Sequence, residues 1–255
     1  RCGTSNGVLS GADGQTFKVS GGTFTAASVR LGRSQAFEGV QSNPNITSGF
    51  IVEGGSATVS GNVELAGGNS SVGGLLSNGS LTVGGELIIG NRSSSPNGSR
   101  YNVFQVKGGT LTSTDTASGV VLARNATIGN KGQFLLTGGT ATVEKISFGL
   151  STSATSGSGT SYGVLTLGNS SAAGTLYLGS GGIVKGALAN YAATVSLVNG
   201  TLGAKADWTS SLDMSLAGSG VTVQAADATG TARNITLSGA LSGANGFTKT
   251  GGGTL

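Results

Sequence analysis

The stretch that decides the fold is Phe17-Lys-Val-Ser-Gly-Gly-Thr-Phe-Thr-Ala26, which is followed closely by Val29-Arg-Leu-Gly32. Apolar residues alternate with polar ones on both sides of the Gly-Gly pair, which is the two-residue period of a strand with one buried face. Glycine adopts a positive φ at little cost, so the pair suits a sharp corner between two strands. The stretch therefore predicts two short strands joined at a corner.

The same pattern recurs along the chain. Clear copies begin at Phe17, Phe50, Leu75, Phe104 and Phe134, and weaker copies surround residues 174–178 and 199–202. The glycine before the Thr or Ser of each copy stands at Gly22, Gly55, Gly79, Gly109, Gly139, Gly174 and Gly200, with an average spacing of about 30 residues. A period of about 20–50 residues is typical of solenoids and other repeat architectures.

Two architectures are compatible with strands joined at glycine corners. A two-residue Asn-Gly corner also suits a hairpin, so antiparallel meanders must be considered. A recurring register favours a coil, because it places equivalent residues above one another, with Val, Leu and Ile inside and Thr or Ser outside the corner. We therefore predict an all-β parallel β-helix of about nine rungs of three short strands, roughly 45 Å long at a rung spacing of about 4.8 Å.

Four phenylalanines open copies of the repeat at the same position. These residues are Phe17, Phe50, Phe104 and Phe134. We interpret them as an aromatic column stacked inside the coil. A stripe of exposed aromatic side chains that contact a ligand is the alternative interpretation.

Insertions separate the last strand of one copy from the first strand of the next. They cover residues 33–49, 91–102 and 150–162, and we expect them to protrude as loops from one side of the rod. Such insertions often line the binding face of a solenoid, although tolerated surface loops are an equally good interpretation. If the loops bind a ligand, the candidate contact residues are Arg33, Arg92, Arg100, Tyr101 and Tyr162.

The composition excludes several classes of protein. The 255 residues include 49 Gly and only 9% charged residues, which is incompatible with a mainly helical chain. Collagen is excluded because Gly does not recur at every third position and Pro occurs only twice. No apolar run approaches the ~18 residues of a membrane-spanning helix. The net charge of +4 comes from scattered cations, so we expect neither a nucleic-acid partner nor membrane insertion of this segment.

We expect no enzymatic activity, no cofactor and no metal site. The chain has no His, which removes Ser-His-Asp and Cys-His mechanisms and His metal sites. Cys2, the only cysteine, makes neither an internal disulfide nor a zinc site. Some parallel β-helices cleave polysaccharides with paired carboxylates. Glu64 and Glu86 fall near equivalent positions of successive repeats, but we favour solvated side chains for both.

The repeat changes near residue 204. We divide the chain into residues 1–203, with seven Gly-Gly-Thr repeats, and residues 204–255, which continue the solenoid. The segment Ser242-Gly243 and Gly246-Phe-Thr-Lys-Thr-Gly-Gly-Gly-Thr-Leu255 resembles the autotransporter-associated β-strand repeat of bacterial autotransporter passenger domains. The resemblance directly covers only about 20 residues and implies a right-handed parallel β-helix that is exported and displayed or released at the cell surface. Because the chain stops inside the motif, we expect a longer polypeptide.

These observations favour a structural role. We expect a secreted or cell-surface rod, spacer or self-assembling fibre building block, located outside a bacterium, whose partner is itself. An adhesin or carbohydrate-binding module is the alternative; it would contact glycans or a host or neighbouring cell surface through the three insertions. A polysaccharide hydrolase or lyase is the third hypothesis.

Overall fold

The computed structural model describes residues 8–11, 16–31, 49–65, 72–91, 100–125, 130–150, 160–187 and 190–255. This part of the chain is all-β, and it contains no helix long and apolar enough to cross a membrane. The strands are Val8–Gly11 (β1), Thr16–Val19 (β2), Thr23–Ala26 (β3), Ser28–Leu31 (β4), Gly49–Val52 (β5), Ser56–Val59 (β6), Val63–Leu65 (β7), Gly73–Leu76 (β8), Ser80–Val83 (β9), Leu87–Ile89 (β10), Arg100–Val106 (β11), Thr110–Ser113 (β12), Val120–Leu122 (β13), Asn130–Leu136 (β14), Thr140–Phe148 (β15), Ser161–Leu167 (β16), Gly174–Lys185 (β17), Tyr191–Ala204 (β18), Trp208–Ser210 (β19), Met214–Gln224 (β20), Ile235–Leu237 (β21), Leu241–Ser242 (β22) and Thr248–Thr250 (β23).

Parallel pairing arranges these strands in three faces. The first face runs β2, β5, β8, β11, β14, β16, β18, β20, β22. The second runs β3, β6, β9, β12, β15, β17, β18, β20, β23. The third runs β1, β4, β7, β10, β13, β15, β17. Nine levels on the first two faces confirm a parallel β-helix of about nine rungs.

The corner between the first two faces is built from glycine. Gly22, Gly55, Gly79, Gly109 and Gly139 all have a positive φ, between 62° and 79°. A Cβ on each of the last four would lie 2.3–2.5 Å from the carbonyl oxygen of the preceding corner glycine. The corners are therefore stacked so closely that only glycine fits, which explains why the sequence repeats Gly before each Thr or Ser.

The aromatic column is confirmed, and it contains one gap. Phe50, Phe104 and Phe134 are fully buried, and Phe17, which is partly buried, stacks on Phe50 at 5.9 Å between ring centroids. Gly74 pairs with both Phe50 and Phe104 and so occupies the phenylalanine position of the third rung. The third copy of the repeat thus begins at Gly74 rather than at Leu75. A Cβ on Gly74 would lie 2.3 Å from Phe104 Cδ2, because the Phe104 ring fills the space.

The later rungs depart from three separate strands per rung. In β15 and β17 the chain passes from the second face to the third within one strand, and in β18 and β20 it passes from the first face to the second. At these corners the strand is not interrupted; instead, the pairing register shifts, between Val143 and Lys145 in β15 and between Leu197 and Asn199 in β18. Parallel pairing continues past Ala204, the last residue of β18, while β19 and β21 form a separate two-stranded sheet.

The C-terminal segment forms the ninth level of the coil described above. Its strands β22 and β23 both pair with β20. Polar side chains join the last three levels at one corner. Asp207 Oδ1 accepts a hydrogen bond from the backbone N–H of Asn234 at 2.8 Å, and Asn234 Oδ1 accepts one from the backbone N–H of Thr254 at 3.0 Å. This segment is thus tied to the solenoid by backbone pairing and by side-chain hydrogen bonds.

Candidate functional site

The contact residues proposed from sequence are only partly covered by the structure. Arg33 and Arg92 lie outside the described residues, as do most of the insertions at 33–49, 91–102 and 150–162. The strands that flank each insertion show that it joins the third face to the first. All three insertions therefore connect strands of the same two faces.

Three of the contact residues lie on strands rather than in loops. Arg100 and Tyr101 belong to β11, and Tyr162 belongs to β16. These strands begin earlier than the sequence indicated. The reason is that β14 pairs with β11 over its full length and with β16 from Lys131 onwards. Tyr101 pairs with Lys131, and Lys131 pairs with Tyr162, so the two tyrosines stand two rungs apart in one column. Tyr162 is 45% exposed.

The two carboxylates considered for catalysis are each bound to an arginine. Arg30 Nε lies 2.5 Å from Glu64 Oε2, and Glu86 pairs with Arg124. Glu64 is only 7% exposed and also accepts a hydrogen bond from Asn91 Nδ2 at 2.9 Å. The expectation that Glu64 is solvated is wrong, because its neighbours on the third face enclose it. Both carboxylates therefore cross-link rungs.

Two other titratable groups have pKa values far from their ordinary range, for structural reasons. Burial raises the pKa of the Tyr191 phenol, and the hydroxyl donates a hydrogen bond to the carbonyl oxygen of Leu122 inside the coil. A hydrogen bond from the Thr229 hydroxyl lowers the pKa of Asp227 to about 2. Asp227 also accepts hydrogen bonds from the backbone N–H groups of Thr229 and Thr231, both at 3.0 Å. Tyr191 thus ties strands together, and Asp227 fixes a turn.

The outward side of the second face carries a regular set of hydroxyl groups. On five successive rungs, from β3 to β15, two outward positions hold Thr or Ser, and the residues between and after them point inward and are buried. We call this set the hydroxyl array. Its first column is Thr23, Ser56, Ser80, Thr110 and Thr140, and its second column is Thr25, Thr58, Thr82, Thr112 and Thr142. All ten residues are exposed or half-buried.

The sequence contained the signal for this surface, in the Thr or Ser that follows each corner glycine and the Thr two residues later. Sequence reasoning placed hydroxyls outside the corner but did not treat them as a site. The array ends where Tyr177 takes the next place in the second column. A Cβ on Gly203 would lie 2.6 Å from the Tyr177 ring, which therefore lies against the Gly203 backbone.

Metal chemistry has no support in the residues described above. Within the described ranges, no group of three or more His, Cys, Asp or Glu side chains is placed to hold a metal ion. The protein is thus a parallel β-helix whose outward surfaces differ from face to face. The third face carries ion pairs, the first an exposed tyrosine and the second hydroxyl groups.

The chain was also compared with known proteins. No family model, curated protein or solved structure matches it.

Proposed function

We propose that this chain is a structural β-solenoid segment of a secreted or cell-surface bacterial protein, of the autotransporter-passenger type. The observation that carries the proposal is parallel pairing through nine levels on two faces. Each rung buries its apolar side chains against the next, so length is added without a separate core for each unit. A chain of this kind serves as a rigid rod or spacer.

Assembly into fibres is a more specific form of the same proposal. Among the described residues, β22 and β23 pair on one side only, with β20. Leu241 in β22 and Leu255 are 38% and 45% exposed. An open strand edge beside exposed apolar side chains is a template for pairing with another strand. The next stretch of a longer polypeptide fits such an edge, and so does a second copy of the chain.

A rung deletion tests the proposed rod. Phe104 and Phe134 occupy the same register position, so deletion of residues 104–133 joins Val103 to Phe134 without changing the register. We expect this variant to keep a β-sheet circular dichroism spectrum, cooperative unfolding and resistance to proteinase K, because a solenoid tolerates the loss of a whole repeat.

Deletion of residues 104–118 is the matched control, since it removes about half a rung and breaks the register. We expect this control to become sensitive to protease. If the whole-rung deletion is degraded as fast as the half-rung deletion, the rungs are not interchangeable structural units and the proposal fails.

The exposed side chain of Tyr162 favours one alternative, a glycan-binding adhesin. Tyrosine combines an apolar ring with a polar hydroxyl, and such side chains are enriched at binding surfaces. Tyr162 is exposed on the first face, near the start of β16, the strand that follows the third insertion. Binding of the chain to a glycan array that is lost in Tyr162→Ala would favour the adhesin over the rod.

A further inference from the structure

The hydroxyl array is more uniform than the fold requires. On the same five rungs, the outward positions of the first face are Lys18, Ile51, Leu75, Gln105 and Leu135. Those of the third face are Arg30, Glu64, Ile88, Val121 and Ser147. All of these third-face residues except Arg30 are buried, as are Ile51 and Gln105 on the first face. Threonine favours strands, and burial accounts for apolar residues such as Ile88 and Val121 at outward positions of the other faces. Neither factor explains why all ten accessible positions of the second face carry a hydroxyl, or why its second column is Thr five times. The uniformity indicates a role at the surface.

The array is periodic in two directions. Successive rungs repeat the hydroxyls at about 4.8 Å along the coil, and the two columns stand about 6.6–6.8 Å apart along each strand. The four pairings that build the array run in register without a shift. The backbone thus holds ten hydroxyls in a rigid two-dimensional pattern, which favours a ligand that is itself periodic, since little ordering entropy remains to be lost on binding.

The chemistry of the array favours an uncharged ligand. None of its ten residues is charged or aromatic. Within the array the structure gives one side-chain hydrogen bond, from Ser80 Oγ to Ser56 Oγ at 3.1 Å. The remaining hydroxyls therefore offer donors and acceptors to the outside. The threonine methyl groups beside them are apolar surface from which disordered water is favourably displaced.

We propose that the hydroxyl array binds ice. The oxygen atoms on a face of hexagonal ice form a two-dimensional lattice whose repeat distances are comparable to those of the array. A hydroxyl can take the place of a lattice water, and hydrogen bonds through ordered water are nearly as favourable as direct ones. This activity goes beyond the rod proposal and does not depend on it, because it requires only the five rungs from β3 to β15.

Two other periodic ligands could be considered, a polysaccharide chain and a second copy of this chain, and ice fits the array better than either. A polysaccharide chain is commonly held by an aromatic side chain that stacks on the sugar ring, and the first aromatic residue in these columns, Tyr177, lies beyond the array. A second copy of the chain would need about 800 Å² of buried surface on each partner. Five rungs and two columns at the spacings above span only a few hundred Å².

The test is inhibition of ice recrystallisation by the purified 255-residue chain, together with its partition into a slowly growing ice crystal. The array variant is the double substitution Thr82→Tyr and Thr112→Tyr, which places two rings in the middle of the array. The matched control is Thr166→Tyr and Thr194→Tyr, at outward positions of the first face. We expect the chain and the control to enter ice and stop recrystallisation, and the array variant to need roughly tenfold more protein, a difference set by its weaker binding.

Circular dichroism and thermal melting establish that both double variants are folded. If the array variant does not fold, Thr112→Lys replaces it, since a single lysine is tolerated on an exposed strand and places a charge in the array. The proposal is overturned if the chain is no more active than albumin at equal mass, or if a folded array variant is as active as the unchanged chain. Retention on insoluble chitin or cellulose without ice activity overturns it too and assigns the array to a polysaccharide. If the array variants change only the sedimentation coefficient, the partner is a second copy and ice binding is again excluded.

Discussion

Replacement of Phe104 by alanine is expected to lower the free energy of unfolding by about 3–5 kcal/mol, the range found for removing a large aromatic side chain from a core. Phe104 is fully buried, packs near Phe134 at 6.3 Å between ring centroids, and also fills the space beside Gly74. Gly74, the residue paired with Phe104 on the preceding rung, has no side chain that could move into the cavity. Urea unfolding followed by circular dichroism measures the loss.

A second substitution separates the cavity from other effects of Phe104→Ala. In the unchanged chain, Gly74→Leu should destabilise, since its Cβ would lie 2.3 Å from Phe104 Cδ2 and cores tolerate overpacking poorly. In the Phe104→Ala background, the same leucine enters the space that the ring has left, and only the flexible end of Leu65, with its Cδ1 2.9 Å from the Cβ, has to shift. The double variant should therefore be more stable than Phe104→Ala alone. Additive losses from the two substitutions would mean that the residues do not share one space.

Replacement of Gly109 by alanine should have the next largest effect. Gly109 has a φ of 73° and its Cβ would lie 2.3 Å from the Gly79 carbonyl oxygen. Alanine in this conformation is destabilised by about 1–2 kcal/mol through the backbone alone. The contact with Gly79 adds to this, because a backbone oxygen held in the adjoining rung cannot move away cheaply. We expect a total loss of roughly twice the backbone contribution, measured by urea unfolding.

Gly22→Ala is the matched control for the corner. Gly22 has nearly the same φ, 69°, but a Cβ there would meet no atom of the described residues within 4 Å. Its substitution should show the backbone contribution without the clash. Equal losses at positions 22 and 109 would contradict close stacking of the corners.

Much of this coil could be predicted from sequence because one local pattern recurs. The Gly-Gly corner, the strand on each side and the phenylalanine column all follow from residues within about ten positions of one another. The third copy was aligned one residue late, because Gly74 stands where the other copies have phenylalanine and the missing side chain is replaced by a ring from the next rung. Local alternation does not contain that information.

The ion pairs and the surface needed the three-dimensional structure. Arg30 and Glu64 are 34 residues apart, and they meet because β4 and β7 pair in register on adjacent rungs. From the repeat, Glu64 and Glu86 fall near equivalent positions of successive rungs. In the structure, the residue that pairs with Glu64 is Ile88. The hydroxyl array was visible as recurring Thr and Ser, but its uniformity became evident only when the outward positions of the other two faces were known.

The most direct test of the in-register parallel coil is a disulfide between Thr112→Cys and Thr142→Cys, with Cys2 replaced by serine. These positions pair across adjacent rungs, and parallel neighbours at about 4.8 Å lie within the Cα separation that a disulfide spans. Thr112→Cys with Thr175→Cys is the control, because Thr175 pairs with Thr140 and lies two rungs from Thr112. We expect oxidation to cross-link the first pair and not the second. Failure of the first pair to cross-link in folded protein, or equal cross-linking of both pairs, would contradict the register on which the whole structure rests.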